Sequence, residues 1–253
     1  MAKKKLGREL KKPDEFVSFW NRFGAKMAEH RKKVLAVTIV LIVGIAVGAG
    51  TTAYRAAQAA KATAAFARID RIASADLLPE KVDDDKAQTI ASDEDDVPRF
   101  KTEKERVEAA IKEADAFVAA FGSDGLGRKA LLGKAGRLVA IGKAAEAATI
   151  YETLAAGETD PGLRIIEQEG AAVAKEAAGK LDEALRDYAA LAESSQQSGG
   201  LYLDRALYAK ARILEKQGKL KDAEQVLRDI LEKVPKTFLR PQIDDRLAIL
   251  TEK

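Results

Sequence analysis

The sequence has no cysteine, one histidine and only 6 prolines among its 253 residues. Without cysteine there are no disulfides, thiolate metal sites or cysteine nucleophiles, and a single histidine leaves few arrangements for acid–base catalysis. Alanine, the best helix former, accounts for 48 residues, whereas proline, which breaks helices, is scarce. Aromatic residues make up only 6% of the chain, which favours packing through alanine. The composition therefore predicts an all-α protein.

One long uncharged run covers residues 34–54 and lies between Lys33 and Arg55. A helix of this length rises roughly 31 Å, which matches the hydrocarbon core of a bilayer. A cleaved signal peptide has a shorter basic region and an apolar stretch of only roughly 7–15 residues. The run therefore predicts an uncleaved transmembrane helix at 34–54, which makes the lipid bilayer a partner.

The charges are unevenly distributed about this run. Residues 1–33 carry 11 lysines and arginines and a net charge of +7, whereas the rest of the chain carries −4. Basic flanks stay in the cytoplasm, so we expect a cytoplasmic tail at 1–33 and residues 55–253 on the opposite side of the membrane. The absence of cysteine suits an oxidising compartment such as a bacterial periplasm. A basic tail also occurs in nucleic-acid-binding proteins, but the adjacent span argues against nucleic acid here.

The basic tail contains an amphipathic segment at 13–27. Its large apolar residues recur at helical spacing and share one stripe: Phe16, Phe19, Trp20, Phe23 and Met27. This pattern predicts an interfacial helix on the cytoplasmic leaflet, and the alternative is a partly ordered, solvated tail.

Within the span, Gly44 and Gly48 have the GxxxG spacing that lets two membrane helices approach closely. They predict a helix–helix contact and a homodimer, although this spacing is also common in apolar helices by chance.

Two segments join the span to the rest of the chain. Residues 55–78 continue as a juxtamembrane helix that ends at Pro79. Residues 79–99 form an acidic, flexible linker, because so polar a segment buries too little surface to offset its ordering entropy. Acidic clusters at 83–85 and 93–96 lack the ligand spacing of an EF-hand, so no metal is expected there. Glycines 122 and 127 lack the Lys-Ser/Thr of a phosphate-binding loop and are read as an inter-helix turn.

Three Gly-Lys pairs mark an internal repeat beginning at Gly142, Gly179 and Gly218. A tyrosine or leucine follows each glycine by nine residues, and a leucine or isoleucine by twelve. An alanine lies seven residues before and five residues after each glycine, namely Ala135, Ala172, Ala211, Ala147, Ala184 and Ala223. The pattern predicts three helical hairpins. Helices are expected near 101–121, 128–141, 144–156, 163–178, 181–194, 201–217, 220–234 and 241–252.

Residues 179–191 and 218–235 resemble the second halves of tetratricopeptide repeats, with the turn glycine, the small alanine, the large residue after it and a terminal proline at Pro235. This resemblance implies a helical-hairpin solenoid at 100–253. It also implies that the first helix of each hairpin lines a concave groove that binds protein partners. The groove residues are then Lys129, Glu169, Arg205, Tyr208, Arg212 and Glu215; the alternative for each is ordinary solvated helix surface.

The whole arrangement of basic tail, single span, long helix, linker and repeats resembles the YfgM-like family of inner-membrane proteins associated with the Sec translocon. That resemblance implies a periplasmic interaction module that assists secreted or envelope proteins, with the translocon, a periplasmic chaperone or emerging polypeptides as partners. The alternative is a structural scaffold of an envelope complex without client binding. No enzyme, cofactor or catalytic residue is predicted, because the single histidine, His30, lies in the basic flank.

Overall fold

The computed structural model describes residues 15–78, 98–197, 199–200 and 202–251. This part of the chain folds into helices without a strand, and its isolated parallel bridge joins Leu77 to Phe100. The prediction of an all-α protein is confirmed. In chain order the helices are α1 Glu15–Glu29, α2 Arg31–Ala73, α3 Glu103–Phe121, α4 Leu126–Ala140, α5 Ala144–Gly157, α6 Pro161–Ala177, α7 Leu181–Gln197, α8 Leu203–Lys216, α9 Leu220–Lys233 and α10 Arg240–Thr251.

The chain divides into two units, Met1–Lys61 and Ala62–Lys253. The first contains α1 and most of α2, which is a single helix of 43 residues. Helix α2 is long and apolar enough to cross a membrane, and its most apolar stretch is wholly exposed. The hydroxyl of Thr38 donates to the carbonyl of Val34, and that of Thr51 to the carbonyl of Gly48. These bonds satisfy polar groups within the helix itself, as a hydrocarbon environment requires.

In the second unit, each Gly-Lys pair forms the tight turn of a hairpin. Gly142, Gly179 and Gly218 have φ of +82°, +76° and +75°, a left-handed conformation that glycine adopts without a steric penalty. In the first turn the amide of Gly142 donates to the carbonyl of Val139, and the amide of Lys143 to that of Leu138. The other two turns repeat both bonds. This is a Schellman motif, which satisfies the last carbonyls of the first helix.

The repeat alanines lie where the two helices of a hairpin meet. Each of the six has an exposed fraction of 0%, and the large residues that follow at Tyr188, Leu191, Leu227 and Ile230 are buried as well. The predicted hairpins are therefore α4–α5, α6–α7 and α8–α9, and the boundaries of α3 to α10 lie within three residues of their expected positions. Helix α2 ends at Ala73, five residues before the end expected at residue 78. The turn between α3 and α4 covers residues 122–125, whereas Gly127, expected in the same turn, lies in the first turn of α4.

The helix starts are capped by side chains where the sequence provides them. Asp160 accepts hydrogen bonds from the amides of Gly162 and Leu163, and Pro161 occupies the first position of α6. Thr102 accepts from the amide of Glu105 at the start of α3. Both arrangements satisfy amides that have no partner within the helix.

Helix α3 packs against the end of α2, an interaction that the sequence analysis did not anticipate. Ile69 of α2 is buried against Ala114 and Phe117, and the rings of Phe66 and Phe117 lie 5.8 Å apart in an edge-on contact. The Arg106 guanidinium also donates to the carbonyl of Ala75 over 2.8 Å. The compact unit that contains the hairpins therefore begins at Ala62.

Helix α10 covers the other end of the repeats. Ile243 and Leu250 are buried in the largest core cluster, and Leu247 packs against the same cluster. Asp244, Asp245 and Arg246 are exposed. The helix thus shields the apolar side of the last hairpin, as a terminal cap of a repeat protein must.

We predict that Ala147→Glu destabilises the repeat domain by about 3 kcal/mol or more, because it places a carboxylate without a partner in a fully buried position. The matched control is Ala145→Glu, two residues earlier on α5 and exposed, with an expected change of about 0.5 kcal/mol or less. Denaturant unfolding followed by circular dichroism measures both. Equal effects of the two substitutions would contradict the packing described for the repeat alanines.

Candidate functional site

The first helices of successive hairpins, α4, α6 and α8, and the cap α10 present one face on which side chains of neighbouring repeats meet. We call this the first-helix face. The guanidinium of Arg205 on α8 bonds to Glu169 on α6 over 2.7 Å, and Arg246 on α10 bonds to Glu215 on α8 over 2.7 Å. The structure thus pairs Glu169 with Arg205, both of which were expected to line a partner groove, and it pairs the third expected residue, Glu215, with Arg246 of the cap helix.

Glu176 on α6 is the centre of these contacts. It accepts from Arg212 over 2.5 Å, from Lys216 over 2.6 Å and from the hydroxyl of Tyr188 over 3.3 Å. Burial would raise the pKa of Glu176, but the hydrogen bonds and charges of Lys216 and Arg212 outweigh burial and lower it. Burial, assisted by the charge of Glu176, raises the pKa of Tyr188. Glu176 is therefore held as a carboxylate that joins α6 to both α7 and α8.

The remaining expected groove residues have different surroundings. Tyr208 is half-buried and packs against the largest core cluster. Lys129 is exposed on α4, and within the described residues its ammonium takes part in no ion pair. Four of the six expected groove residues therefore form ion pairs with adjacent helices: Glu169, Arg205, Arg212 and Glu215. Tyr208 belongs partly to the core, and Lys129 is exposed surface.

An apolar stripe on α6 is the part of this face that sequence reasoning missed. Leu163, Ile166 and Val173 are exposed and follow one another at spacings of three and seven, which places them on one side of the helix. Glu169 lies on the adjoining side of the same helix. The helical spacing was available in the sequence, but the exposure of these residues depends on what the hairpins leave uncovered.

The ring of Tyr151 covers α6 at Gly170, which lies between Ile166 and Val173 in the sequence. A side-chain carbon placed on Gly170 would lie 2.6 Å from the ring of Tyr151, which reaches α6 from α5. The hydroxyl of Tyr151 lies toward Gly136 of α4, where an added carbon would be 3.8 Å away. Burial raises the pKa of Tyr151. The small residues of α4 and α6 therefore accommodate an aromatic ring from the second helix of the first hairpin.

Cavities border these helices. A cavity of about 600 Å³ between α5, α6 and α7 contains Lys175, whose ammonium bonds to Asp187 over 2.6 Å and to Glu152 over 2.7 Å. Burial would lower the pKa of Lys175, but its two carboxylate partners raise it, so the group stays protonated at neutral pH. A cavity of about 400 Å³ near α10 is lined by Arg212, Glu215, Lys216, Leu220, Arg246, Ile249 and Leu250.

A further buried charge cluster fixes the start of the second hairpin. Arg128 bonds to Glu167 over 2.6 Å and to Glu158 over 2.9 Å, and it donates to the carbonyl of Leu154 over 2.6 Å. Glu167 is almost fully buried, so this pairing compensates for removing its charge from water. The cluster joins α4 to the α5–α6 connection and is part of the packing.

No group of three or more histidine or acidic side chains is arranged to hold a metal ion in the part of the chain that the structure describes. The acidic clusters at 83–85 and 93–96 lie outside the described residues. Gly44 and Gly48 lie on exposed α2 surface with open space at the position of a side-chain carbon. The helix–helix contact expected there stays a prediction.

We predict that Glu176→Gln lowers the free energy of unfolding by about 1 kcal/mol at pH 7. Because the pKa of Glu176 is lowered by folding, its stabilising effect is present above the ordinary value of 4.5 and is lost as the pH falls through the folded-state pKa. The difference from the unmodified chain should therefore shrink toward zero in acid. Denaturant unfolding at a series of pH values measures it.

The control for this prediction is Glu224→Gln, which breaks an exposed pair with Arg228 within α9. Such pairs contribute only about 0.3–0.5 kcal/mol. A cost for Glu176→Gln that does not change with pH, or one no larger than that of the control, would contradict the assigned role of Glu176.

Comparison with known proteins shows the fold. No protein-family model matches the chain, and no curated protein matches it. A crystal structure of a Podospora anserina putative kinesin light chain with nearly identical TPR-like repeats is similar, with 17% identity and a TM-score of 0.50 over 58% of this chain and 78% of that one. A second crystal structure of such a chain from the same organism has 17% identity, a TM-score of 0.49 and coverages of 58% and 79%. The described hairpins are thus TPR-like repeats, as the sequence predicted.

Proposed function

We propose that this chain is a membrane-anchored protein–protein interaction module of the bacterial inner membrane, with its repeat domain in the periplasm. The single observation that carries the proposal is the combination of TPR-like hairpins with an N-terminal helix long and apolar enough to cross a membrane. Stacked helical hairpins provide extended binding surfaces rather than enclosed reaction sites. We expect no catalysis, because Lys175 in the cavity is paired with the carboxylates of Glu152 and Asp187.

The orientation is supported by charge. The 11 basic residues ahead of residue 34 favour a cytoplasmic N-terminus, and this places the repeats on the opposite side of the membrane. The resemblance to the YfgM-like family then suggests the Sec translocon as the neighbour of the span. In this proposal the repeats bind emerging polypeptides or a periplasmic chaperone, and the protein assists secreted or envelope proteins.

The most suitable binding surface is the apolar stripe on α6. The charges at Glu169, Arg212 and Glu215 already have partners on neighbouring helices, so a ligand that used them would have to replace existing ion pairs. Leu163, Ile166 and Val173 are exposed, and covering them with an apolar segment gains free energy without breaking any contact. The proposed binding surface is therefore the α6 part of the expected groove. Lys129 on α4 is exposed, so its positive charge can pair with an acidic group of a partner.

The alternative is a structural scaffold of an envelope complex that binds no clients. The ion pairs that join α6, α8 and α10 favour it, because charges that hold a stack together contribute no recognition. The two functions differ in what surrounds the protein. A crosslinking pull-down from membranes yields translocon subunits and secreted proteins for the first function, and a fixed set of envelope components for the second.

We predict that Ile166→Asn lowers crosslinking of partners about fivefold or more while leaving the melting temperature almost unchanged, since central apolar anchors contribute about 1 kcal/mol or more to binding. The matched control is Ile249→Asn on α10, because both isoleucines are 45% exposed. The readout is partner yield from membranes together with thermal unfolding. Equal losses for both variants, or a loss only for Ile249→Asn, would contradict the assignment to α6.

The topology is tested separately. A reporter that is active only in the cytoplasm should be silent when fused after Lys253, because the span carries the C-terminal part across the membrane. The same reporter fused after Lys33 in a chain truncated there should be active, since it lacks the span. Strong activity of the fusion at Lys253 would contradict the orientation and the compartment together.

A further inference from the structure

Helix α1 carries an exposed aromatic patch formed by Phe19, Trp20, Phe23 and Met27, whose side chains are 40–59% exposed. On a helix these four positions fall within an arc of about 100°. Their rings contact one another: Trp20 lies edge-on to Phe19 at 5.9 Å and to Phe23 at 5.6 Å, and Phe19 stacks on Phe23 at 6.1 Å. The patch is a continuous apolar surface on a helix of 15 residues.

Basic side chains border this patch. Arg22 and Lys26 follow one another by one helical turn and lie beside the edge formed by Phe19. Arg22 donates to the carbonyl and the hydroxyl of Ser18, which holds its guanidinium along the helix. The acidic residues Glu15 and Glu29 stand at the two ends of α1. Between its two ends, α1 therefore combines an aromatic face with basic side chains and carries no acidic residue.

The position of α1 in the chain brings this patch close to the proposed span. Helix α1 ends at Glu29, α2 begins at Arg31, and the uncharged run starts at residue 34. The three helical residues 31–33 rise about 5 Å, and two further steps of at most about 3.6 Å each lead back to Glu29, so the end of α1 lies within about 12 Å of residue 34. Arg31, Lys32 and Lys33 add three positive charges at this junction. A bilayer surface is thus the nearest large partner for the aromatic patch.

We propose that α1 lies in the headgroup region of the membrane and binds anionic lipid through its aromatic patch and its basic border. The proposal rests on the membrane anchor of the proposed function. Trp and Phe on one face with Lys and Arg beside them are typical of helices that lie in the interface. Tryptophan in particular is enriched at headgroup depth. Anionic headgroups attract each basic residue near the surface, so binding depends on lipid charge.

Trp20 makes this proposal directly measurable, because it is the only tryptophan in the chain. The full chain is reconstituted into vesicles of phosphatidylcholine alone and of phosphatidylcholine mixed with phosphatidylglycerol. Tryptophan fluorescence is then quenched with lipid that carries a nitroxide near the glycerol backbone, or with aqueous acrylamide. In the anionic vesicles we expect strong quenching by the lipid nitroxide and protection from acrylamide, and in the neutral vesicles less of both.

Variants separate the contributions. Arg22→Gln and Lys26→Gln should each lower the ratio of bound to free α1 by about fivefold in anionic vesicles, the factor that corresponds to the attraction of one cation to such a surface. Phe19→Ser combined with Phe23→Ser should expose Trp20 to acrylamide. Ala25→Ser, on the side of α1 away from the patch, is the matched control and should change nothing.

Three results would overturn the proposal. Trp20 that stays accessible to acrylamide in anionic vesicles shows an unbound helix, and Trp20 that is shielded but not quenched by lipid shows that protein, such as a second copy, covers the patch. Alkaline extraction of the same vesicles tests the anchor independently. A chain that resists extraction while Trp20 stays accessible refutes only the role of α1, whereas a chain that is extracted refutes the span on which that role depends.

Discussion

The close approach of two helices at small side chains is the constraint on which the repeat domain depends. Six alanines are completely buried where the helices of the three hairpins meet, and no larger residue fits those positions without separating the helices. The tight turn after each first helix meets the same constraint. A glycine with positive φ ends the helix with both Schellman bonds, and the second helix then begins close enough to pack against the alanines. Tyr188, Leu227 and their equivalents then fill the space between hairpins.

The electrostatics of the first-helix face follow from this packing. Because the helices pack closely at the alanines, long charged side chains of neighbouring repeats come within reach of one another. Glu176 bonds to Arg212 and Lys216 as a result. Pairs of this kind are partly exposed and stabilise the fold only modestly, but they occupy the charges that a partner would otherwise use. The apolar side chains of Leu163, Ile166 and Val173 on α6 remain exposed beside these pairs. We propose that this one face contributes both to assembly of the repeats and to recognition.

Much of the fold was predictable because its signals are local. The Gly-Lys turns, the alanine spacing and the capping of α3 by Thr102 are encoded within a few residues of the elements that they form. The missing parts involve residues far apart in the sequence. The contact of Ile69 with Phe117 joins residues 48 positions apart in the sequence, and Arg212 lies 36 residues from Glu176. Periodicity indicates which side of a helix is apolar, but it does not say which apolar residues a neighbouring hairpin leaves uncovered, as at Ile166 and Val173.

We propose that the repeats bind partners through α6 while the membrane helix serves as the anchor. Amide hydrogen exchange on the full chain in membrane vesicles, with and without the partners recovered by crosslinking, tests it most directly. The account predicts that partners slow exchange in α6 around Leu163–Val173 and leave α8 and α10 unchanged, since covering a helix face suppresses its local opening. Slower exchange confined to residues 34–54, with α6 unchanged, would contradict the claim and place recognition in the membrane helix.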